Sequence, residues 1–440
     1  MRDPTVTAPS TPAPPGSLGA YVARARAAGR LVVQPRMGMG SPATMRAGLQ
    51  ATRDAAATSV GTITLDSYTR VGDHEAARTA LRRGEQLNGY PIVVHDLATT
   101  RAVLDGVRDD RFPVQVRHGS ADPRAIFATL AAVGLDASEG GPVSYCLPYS
   151  RKPLQRSTTD WAEACRQLDR VREVGAEPHL ETFGGCMLGQ LCPPSLLVAI
   201  SVLEAMFFRT YGLRSISLSY AQQTAPDQDT EAIRALRSLA ARLLPDVDRH
   251  VVLYAYMGVY PRTPSGARLL LAEAARLAVR AGADRLIVKT VAEAHRIPTI
   301  TENVTALEEA ARAAEEPGGT EPALDTGLLT EATAIVEAVL DLAPDPGRAL
   351  ATAFRRGYLD VPYCLHPDNA GRARSYLDGD GWLRWAAVGS LPIGPEAVRG
   401  RPQRLGSADL LAALSHVADR FDAAGVLAHD GAAPAPATNP

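Results

Sequence analysis

The chain has 440 residues, 46% of them hydrophobic and 21% charged, and its 46 basic and 48 acidic side chains leave a net charge of −2. That composition provides for a large core, while near-neutrality without basic runs argues against a nucleic-acid surface. No stretch reaches the roughly 18 consecutive apolar residues of a membrane span, and the start Met1-Arg2-Asp3-Pro4 leads into polar, Pro-rich sequence, so a cytoplasmic protein is expected.

Residues 1–17, rich in Pro, Thr and Ser, and the Ala/Pro-rich residues 428–440 are expected to be disordered tails. Between them strand-like and helix-like segments alternate, the pattern of a parallel sheet wrapped in helices. Strands are predicted at 31–34, 62–66, 91–95, 113–117, 143–147, 178–183, 215–220, 251–256 and 285–289. Helices are predicted at 18–28, 45–56, 74–87, 123–133, 160–174, 195–211, 230–244 and 267–281, the last with Leu270, Ala274, Leu277 and Ala281 on one stripe. The expected fold is a TIM (β/α)8 barrel over residues 18–300, for which nine strands is one too many. Residues 301–427 read as a helical and loop-rich extension, with helices near 304–314, 326–342, 349–357 and 408–424.

Three of the predicted strands finish on or near an arginine: Gln34-Pro35-Arg36, Asp66-Ser67-Tyr68-Thr69-Arg70 and Gln115-Val116-Arg117-His118-Gly119. In a parallel barrel the carboxyl ends of the strands gather at one mouth, so Arg36, Arg70 and Arg117 converge and can grip a small dicarboxylate through planar guanidinium forks. The competing reading pairs each with a structural acid such as Asp66 or Asp122. Glu139, ahead of Gly140-Gly141, can accept a substrate ammonium, and Tyr145 and Tyr149, read as strand residues, can supply phenol hydrogen bonds. Strand alternation would turn Cys146 away from Tyr145. Lys289 closes a buried strand, and Glu293 meets it on one face if a helix starts there. His118 is either a hydrogen-bond donor or a core histidine, and His74, His250, His416 and His429 read as surface residues. The five cysteines form no Cys-x-x-Cys pair, and no His/Asp/Glu spacing suggests a metal site.

These motifs, together with Leu87-Asn88-Gly89-Tyr90-Pro91, Ser144-Tyr145, Ile287-Val288-Lys289-Thr290 and Ile297-Pro298-Thr299, resemble the large (epsilon) subunit of glutamate mutase, also called methylaspartate mutase, in register from about residue 30 to 395. The resemblance implies a catalytic TIM barrel of an adenosylcobalamin-dependent isomerase that interconverts L-glutamate and (2S,3S)-3-methylaspartate by a radical route. It implies that Arg36, Arg70 and Arg117 form an arginine claw, that Glu139, Tyr145 and Tyr149 touch substrate, and that Asn88, Lys289 and Glu293 lie near the adenosyl group. It also implies a separate small subunit that holds cobalamin through a D-x-H-x-x-G motif, in a hetero-oligomer built around a homodimer. In this chain the nearest approach to that motif is Asp248-Arg249-His250, which continues Val251-Val252-Leu253 without the glycine. A non-catalytic barrel relative that binds an amino diacid or a partner is the alternative, and an unrelated barrel lyase a third.

Overall fold

The computed structural model describes residues 17–184, 190–316, 324–398 and 406–430. Most of both expected tails therefore lies outside the described residues. Eight parallel strands form one sheet: β1 (Val32–Gln34), β2 (Gly61–Thr64), β3 (Val114–Arg117), β4 (Ala137–Glu139), β5 (His179–Glu181), β6 (Ser215–Ala221), β7 (Asp248–Tyr254) and β8 (Arg285–Ile287). Neighbours in sequence are neighbours in space from β2 to β8, and β8 pairs with β1. A bridge between Val33 and Ser59, with Val33 N donating to Thr58 O at 2.9 Å, brings β1 against β2 and closes the barrel. The fold is thus a (β/α)8 barrel.

The surplus strand resolves into two corrections and one addition. Residues 91–95 are a turn and not a strand, following an isolated bridge between Leu65 and Tyr90. Residues 143–147 are helical turns, with Tyr145 N donating to Gly141 O and Leu147 N to Val143 O. The strand of this unit lies just upstream as β4, three residues long. Removing two strands and adding one gives eight.

The helices are α1 (Leu18–Ala27), α2 (Pro42–Asp54), α3 (Ser67–Val71), α4 (His74–Arg82), α5 (Leu97–Leu104), α6 (Arg124–Val133), α7 (Leu154–Asp169), α8 (Pro194–Thr210), α9 (Pro226–Leu243), α10 (Pro264–Ala281), α11 (Ile300–Glu315), α12 (Leu328–Leu340), α13 (Pro346–Arg356) and α14 (Ser407–Asp430). Ser17 caps α1, which plugs the N-terminal end of the barrel: Leu18, Val22 and Ala25 pack on Val32, Val60 and Ala137. Helix α11, started by a reciprocal Thr299–Glu302 capping box, packs against α10, α2 and β1, where an eighth barrel helix belongs. Helices α12 and α13 cover α8, α14 lies on α10, and an antiparallel hairpin of β9 (Arg374–Leu377) and β10 (Leu383–Ala387) docks on Gln228 of α9 through Leu383. None of the helices among the described residues is long and apolar enough to cross a membrane.

The lumen of this barrel is polar. Bulky aliphatic layers are usual there, yet the inward positions of β1, β3, β5, β6, β7 and β8 include Gln34, Gln115, His179, Glu181, Ser217, His250 and Arg285, all buried and linked by hydrogen bonds. His250, read from sequence as a surface residue, stacks on His179 at 5.1 Å and touches Arg285 Nη2 at 3.3 Å. Burial, with Arg285 beside them, drives both imidazoles well below their usual range, so both are neutral.

Candidate active site

The site grows from the carboxyl ends of β3, β4 and β7. Arg117, the last residue of β3, is buried and sets Nη2 2.7 Å from Glu139 Oε2, the last residue of β4. Its guanidinium lies 4.9 Å from the Tyr254 ring centre and 5.9 Å from that of Phe183. Burial disfavours its charge, but Glu139 and the neighbouring phenols outweigh that and hold the guanidinium firmly protonated. The other terminal nitrogen, Nη1, is buried with no hydrogen-bond partner among the described residues. A buried donor of that kind marks a place for an anion.

Glu139 accepts from the phenol of Tyr145, and Tyr254 Oη lies 3.0 Å from its Oε2. Burial pushes its carboxyl above the usual range, with Arg117 opposing and Glu181 adding to the rise. Tyr145 reaches Glu139 from a helical turn rather than a strand, and its ring meets that of Tyr149 edge-on at 5.4 Å. The Gly-Gly pair makes this possible. Gly140 has φ +125, and a Cβ there would fall 2.4 Å from Trp161 and 2.6 Å from Tyr145; one on Gly141 would fall 2.1 Å from Glu204 Oε1. Glu204, on α8, accepts from Val143 N and Ser144 N at 2.9 Å each, capping the turn that carries both tyrosines. Because this turn is not a strand, face alternation does not place Cys146; its Sγ lies against Lys152 O at 3.1 Å, while Tyr145 points at Glu139.

Arg70 sits on α3, not at a strand end. Asp66 caps that short helix, and Arg70 Nε donates to His118 O at 3.1 Å, so Arg70 reaches the end of β3 beside Arg117. With Gly119 and Tyr149 it lines a cavity of about 780 Å³. Asn88 accepts from Ser67 N at 3.0 Å and so holds the start of the same helix. His118 is a core histidine: its ring lies against Phe127, Tyr145 and Trp161, Nδ1 accepts from Ser120 N, and burial lowers it to about 3.

Arg36, Lys289 and Glu293 form a second group where the adjacent β1 and β8 end. Glu293 Oε2 lies 3.5 Å from Arg36 Nη1 and 3.6 Å from Lys289 Nζ, and Lys289 stands 4.8 Å above the Tyr260 ring centre. Residues 291–295 are turns, so the Lys289–Glu293 pair forms without a helix. The structural acids named as competitors are occupied elsewhere: Asp66 in its cap, and Asp122 with Arg124 and Lys152. The structure thus joins Arg117, Glu139 and Tyr145, sets Arg70 and Tyr149 along the same edge, and keeps Arg36 with Lys289 and Glu293. Arg36 follows β1, Arg70 lies on α3 just after β2, and Arg117 ends β3, so the three arginines come from three adjacent units of the barrel.

Tyr254, Glu181 and Arg285 join the site although the sequence reading does not single them out. Tyr254 bridges Glu139 and Glu181, and Arg285 pairs with Glu181 inside the lumen. For Tyr254 the signal was the face it shares with Asp248, His250 and Val252 on β7, a mostly polar set that also fits an exposed strand face.

Fold and site together define a (β/α)8-barrel protein with an arginine–carboxylate centre at the strand ends, the end at which barrel enzymes carry their active sites. The sequence profile of the methylaspartate mutase E chain (MutE) family matches residues 15–408, and the chain belongs to that family. It is 33% identical over 356 residues to the glutamate mutase epsilon subunit of Halobacterium salinarum, covering 78% of this chain and 74% of that one. Identity is 30% over 349 residues to the subunit of the same name from Escherichia coli O157:H7, with 75% and 72% covered. For that of Desulfitobacterium hafniense it is 31% over 361 residues, with 78% and 74% covered. Among solved structures, a truncated 3-deoxy-D-arabino-heptulosonate 7-phosphate synthase from Thermotoga maritima aligns with a TM-score of 0.35 and 13% identity, over 64% of this chain and 84% of that one.

Proposed function

We propose that this chain is the catalytic barrel of an adenosylcobalamin-dependent mutase that interconverts L-glutamate and 3-methylaspartate. The observation that carries the reading is the Arg117–Glu139 pair. A guanidinium with one arm free and a carboxylate 2.7 Å from its other arm form the complement of an amino acid's own carboxylate and ammonium. Arg70 and Arg36, farther along the rim, then hold the second carboxylate and limit the length of the diacid. Glu139 receives the ammonium, and Tyr145 and Tyr149 wall the substrate in.

The donor set at the ends of β1 and β8 suits the adenosyl group of the cofactor. A carboxylate between two cations offers an acceptor and donors for ribose hydroxyls, and Asn88 stands at the head of α3 on the same rim. When bound, adenosylcobalamin supplies the organic radical that removes a hydrogen atom from the substrate. The barrel's part is to fix both carboxylates, take the ammonium, and keep water off the reacting carbon within buried walls such as Phe183, Tyr145 and Tyr254. A partner of the small cobalamin-binding type is part of the reading. His250, in the stretch closest to a D-x-H-x-x-G motif, is enclosed in the lumen against Arg285 and cannot reach a corrin at the mouth.

Mixing this chain with a cobalamin-binding small subunit, adenosylcobalamin and glutamate tests the proposal. Methylaspartate is expected by proton NMR and a radical signal by electron paramagnetic resonance. Absence of both, with the small subunit active beside another epsilon chain, would end it.

A further inference from the structure

Two ion pairs flank a single phenol. Tyr254 Oη lies 3.0 Å from Glu139 Oε2 and also contacts Glu181 Oε1; Glu139 is paired with Arg117, and Glu181 with Arg285. A phenol has one hydrogen. With both carboxylates ionised, one of its two oxygen contacts has no hydrogen between the atoms, which is unfavourable at full burial. One more proton completes the chain. The count of donors says where it goes: Glu181 accepts from Arg285, Gln115 and Ser217 in addition to Tyr254, whereas Glu139 has Arg117 and Tyr145 besides Tyr254. The better-supplied Glu181 is the one that takes the hydrogen bond from Tyr254.

We propose that Tyr254, Glu181 and Arg285 are positioning residues that make Glu139 a proton acceptor, through a chain in which Glu139 O–H donates to Tyr254 Oη, and Tyr254 O–H donates to the Glu181 carboxylate neutralised by Arg285. This rests on the reading that Glu139 receives the substrate ammonium, and it specifies what happens there. The proton leaves the substrate nitrogen and ends on Glu139 Oε2, and the Tyr254 hydrogen stays on Tyr254 throughout. The substrate is thus held as the free amine, with its proton on the enzyme. Glu139 is faced by Arg117 from β3, Tyr145 from the turn after β4, Glu181 from β5 and Tyr254 from β7, with Arg285 of β8 behind Glu181. The neighbouring His118 is neutral. Burial and the charge of Glu181 both act to raise the proton affinity of Glu139, in keeping with the chain.

The direction of the chain is testable because the ordinary alternative has the opposite sign. In the chain Tyr254 is the acceptor for the Glu139 proton, so Tyr254→Phe lowers the proton affinity of Glu139. If Tyr254 merely donates to an ionised Glu139, the same change raises it. Infrared difference spectra of this chain between pH 4 and 9, with the protonated-carboxyl band assigned by its loss in Glu139→Gln, are expected to titrate about one pH unit lower in Tyr254→Phe. Glu181→Gln, which removes the nearby negative charge, is expected to shift the band in the same direction. With partner subunit and cofactor present, the acid limb of kcat/KM moves down with the band. A shift upward, or none, in Tyr254→Phe overturns the chain. That variant loses one oxygen and keeps the ring contacts to Phe183 and Arg117, so it decides alone if Glu181→Gln does not fold. Loss of all turnover in the unaltered chain would count against the mutase reading, while the infrared titration still decides the proton chain.

Discussion

Glu204 caps Ser144 from across the molecule: one oxygen of a carboxylate on α8 takes the backbone N–H groups of Val143 and Ser144, and the other meets the Ser144 hydroxyl. Complete burial outweighs these three donors and pushes its carboxyl up to about 7 from an ordinary 4.5. Below the ordinary value the group is neutral folded and unfolded, and nothing is lost. Between the two values only the folded chain holds the proton, so stability falls as pH rises, and above pH 7 the cost is complete at roughly 3 kcal/mol. Glu204→Gln keeps an acceptor for both N–H groups and presents an amide to Ser144. It should match the parent in thermal denaturation near pH 4.5 and exceed it at pH 8, by on the order of a few degrees. A difference independent of pH would show that Glu204 is not the titrating group.

Gly140→Ala should be among the most damaging single-atom additions in the chain. A methyl group there falls 2.4 Å from Trp161 and 2.6 Å from Tyr145, both buried ring systems, at a φ of +125 that alanine resists. A loss of about 3 kcal/mol or more is expected, seen as a lowered urea midpoint and weaker near-ultraviolet dichroism from the displaced rings. Gly134→Ala serves as the control: φ is +80 but nothing lies within 4 Å, so only the conformational strain, about 1–2 kcal/mol, should appear. Equal effects at the two positions would mean that packing at Gly140 contributes nothing.

Arg117→Lys keeps the charge and the pairing with Glu139 within reach but removes the second, open arm of the fork. Turnover should fall by at least about a hundredfold with partner and cofactor in excess, since a charge-assisted hydrogen bond in a buried site is worth about 1.5–3 kcal/mol and the geometry is lost with it. Methylaspartate formation followed by NMR measures this, and a rate close to that of the parent would remove Arg117 from the substrate's carboxylate.

How far the chain's sequence discloses this depends on the element. Arg117 was legible because an arginine closing a four-residue buried strand can only face the barrel mouth. Strand β4 was not, since Ala137-Ser138-Glu139 is short and weakly apolar, while Val143–Leu147 has the apolar run of a strand. That run is bent into helical turns by Glu204, a residue some 60 positions away in sequence, and no local pattern reports such a contact. Arg70 was assigned to a strand end because Asp66 reads equally well as strand and as helix cap. The lumen stayed hidden for a different reason. Polar residues spaced by two normally mark a solvent face, so His250 looked exposed, and nothing local marked Glu181 or Arg285 as lumen residues.

That polar lumen bears most directly on stability. Arg285 and Glu181 are fully buried, and their pairing takes place where two charges are costly to bring. Arg285→Met removes one charge and leaves Glu181 with Gln115, Ser217 and Tyr254 alone, so a loss of about 3–5 kcal/mol is expected. Adding Glu181→Met should recover much of it, because the stranded carboxylate goes and apolar side chains of similar length fill the space. Urea midpoints of the two single variants, the double variant and the parent measure the coupling. If the double variant were as unstable as the sum of the singles, the two residues would contribute independently, and the lumen would owe its stability to the wider net of Gln34, Gln115 and Ser217. If it recovers stability while methylaspartate formation stays low, the pair is retained in this barrel for the proton held at Glu139 rather than for the fold.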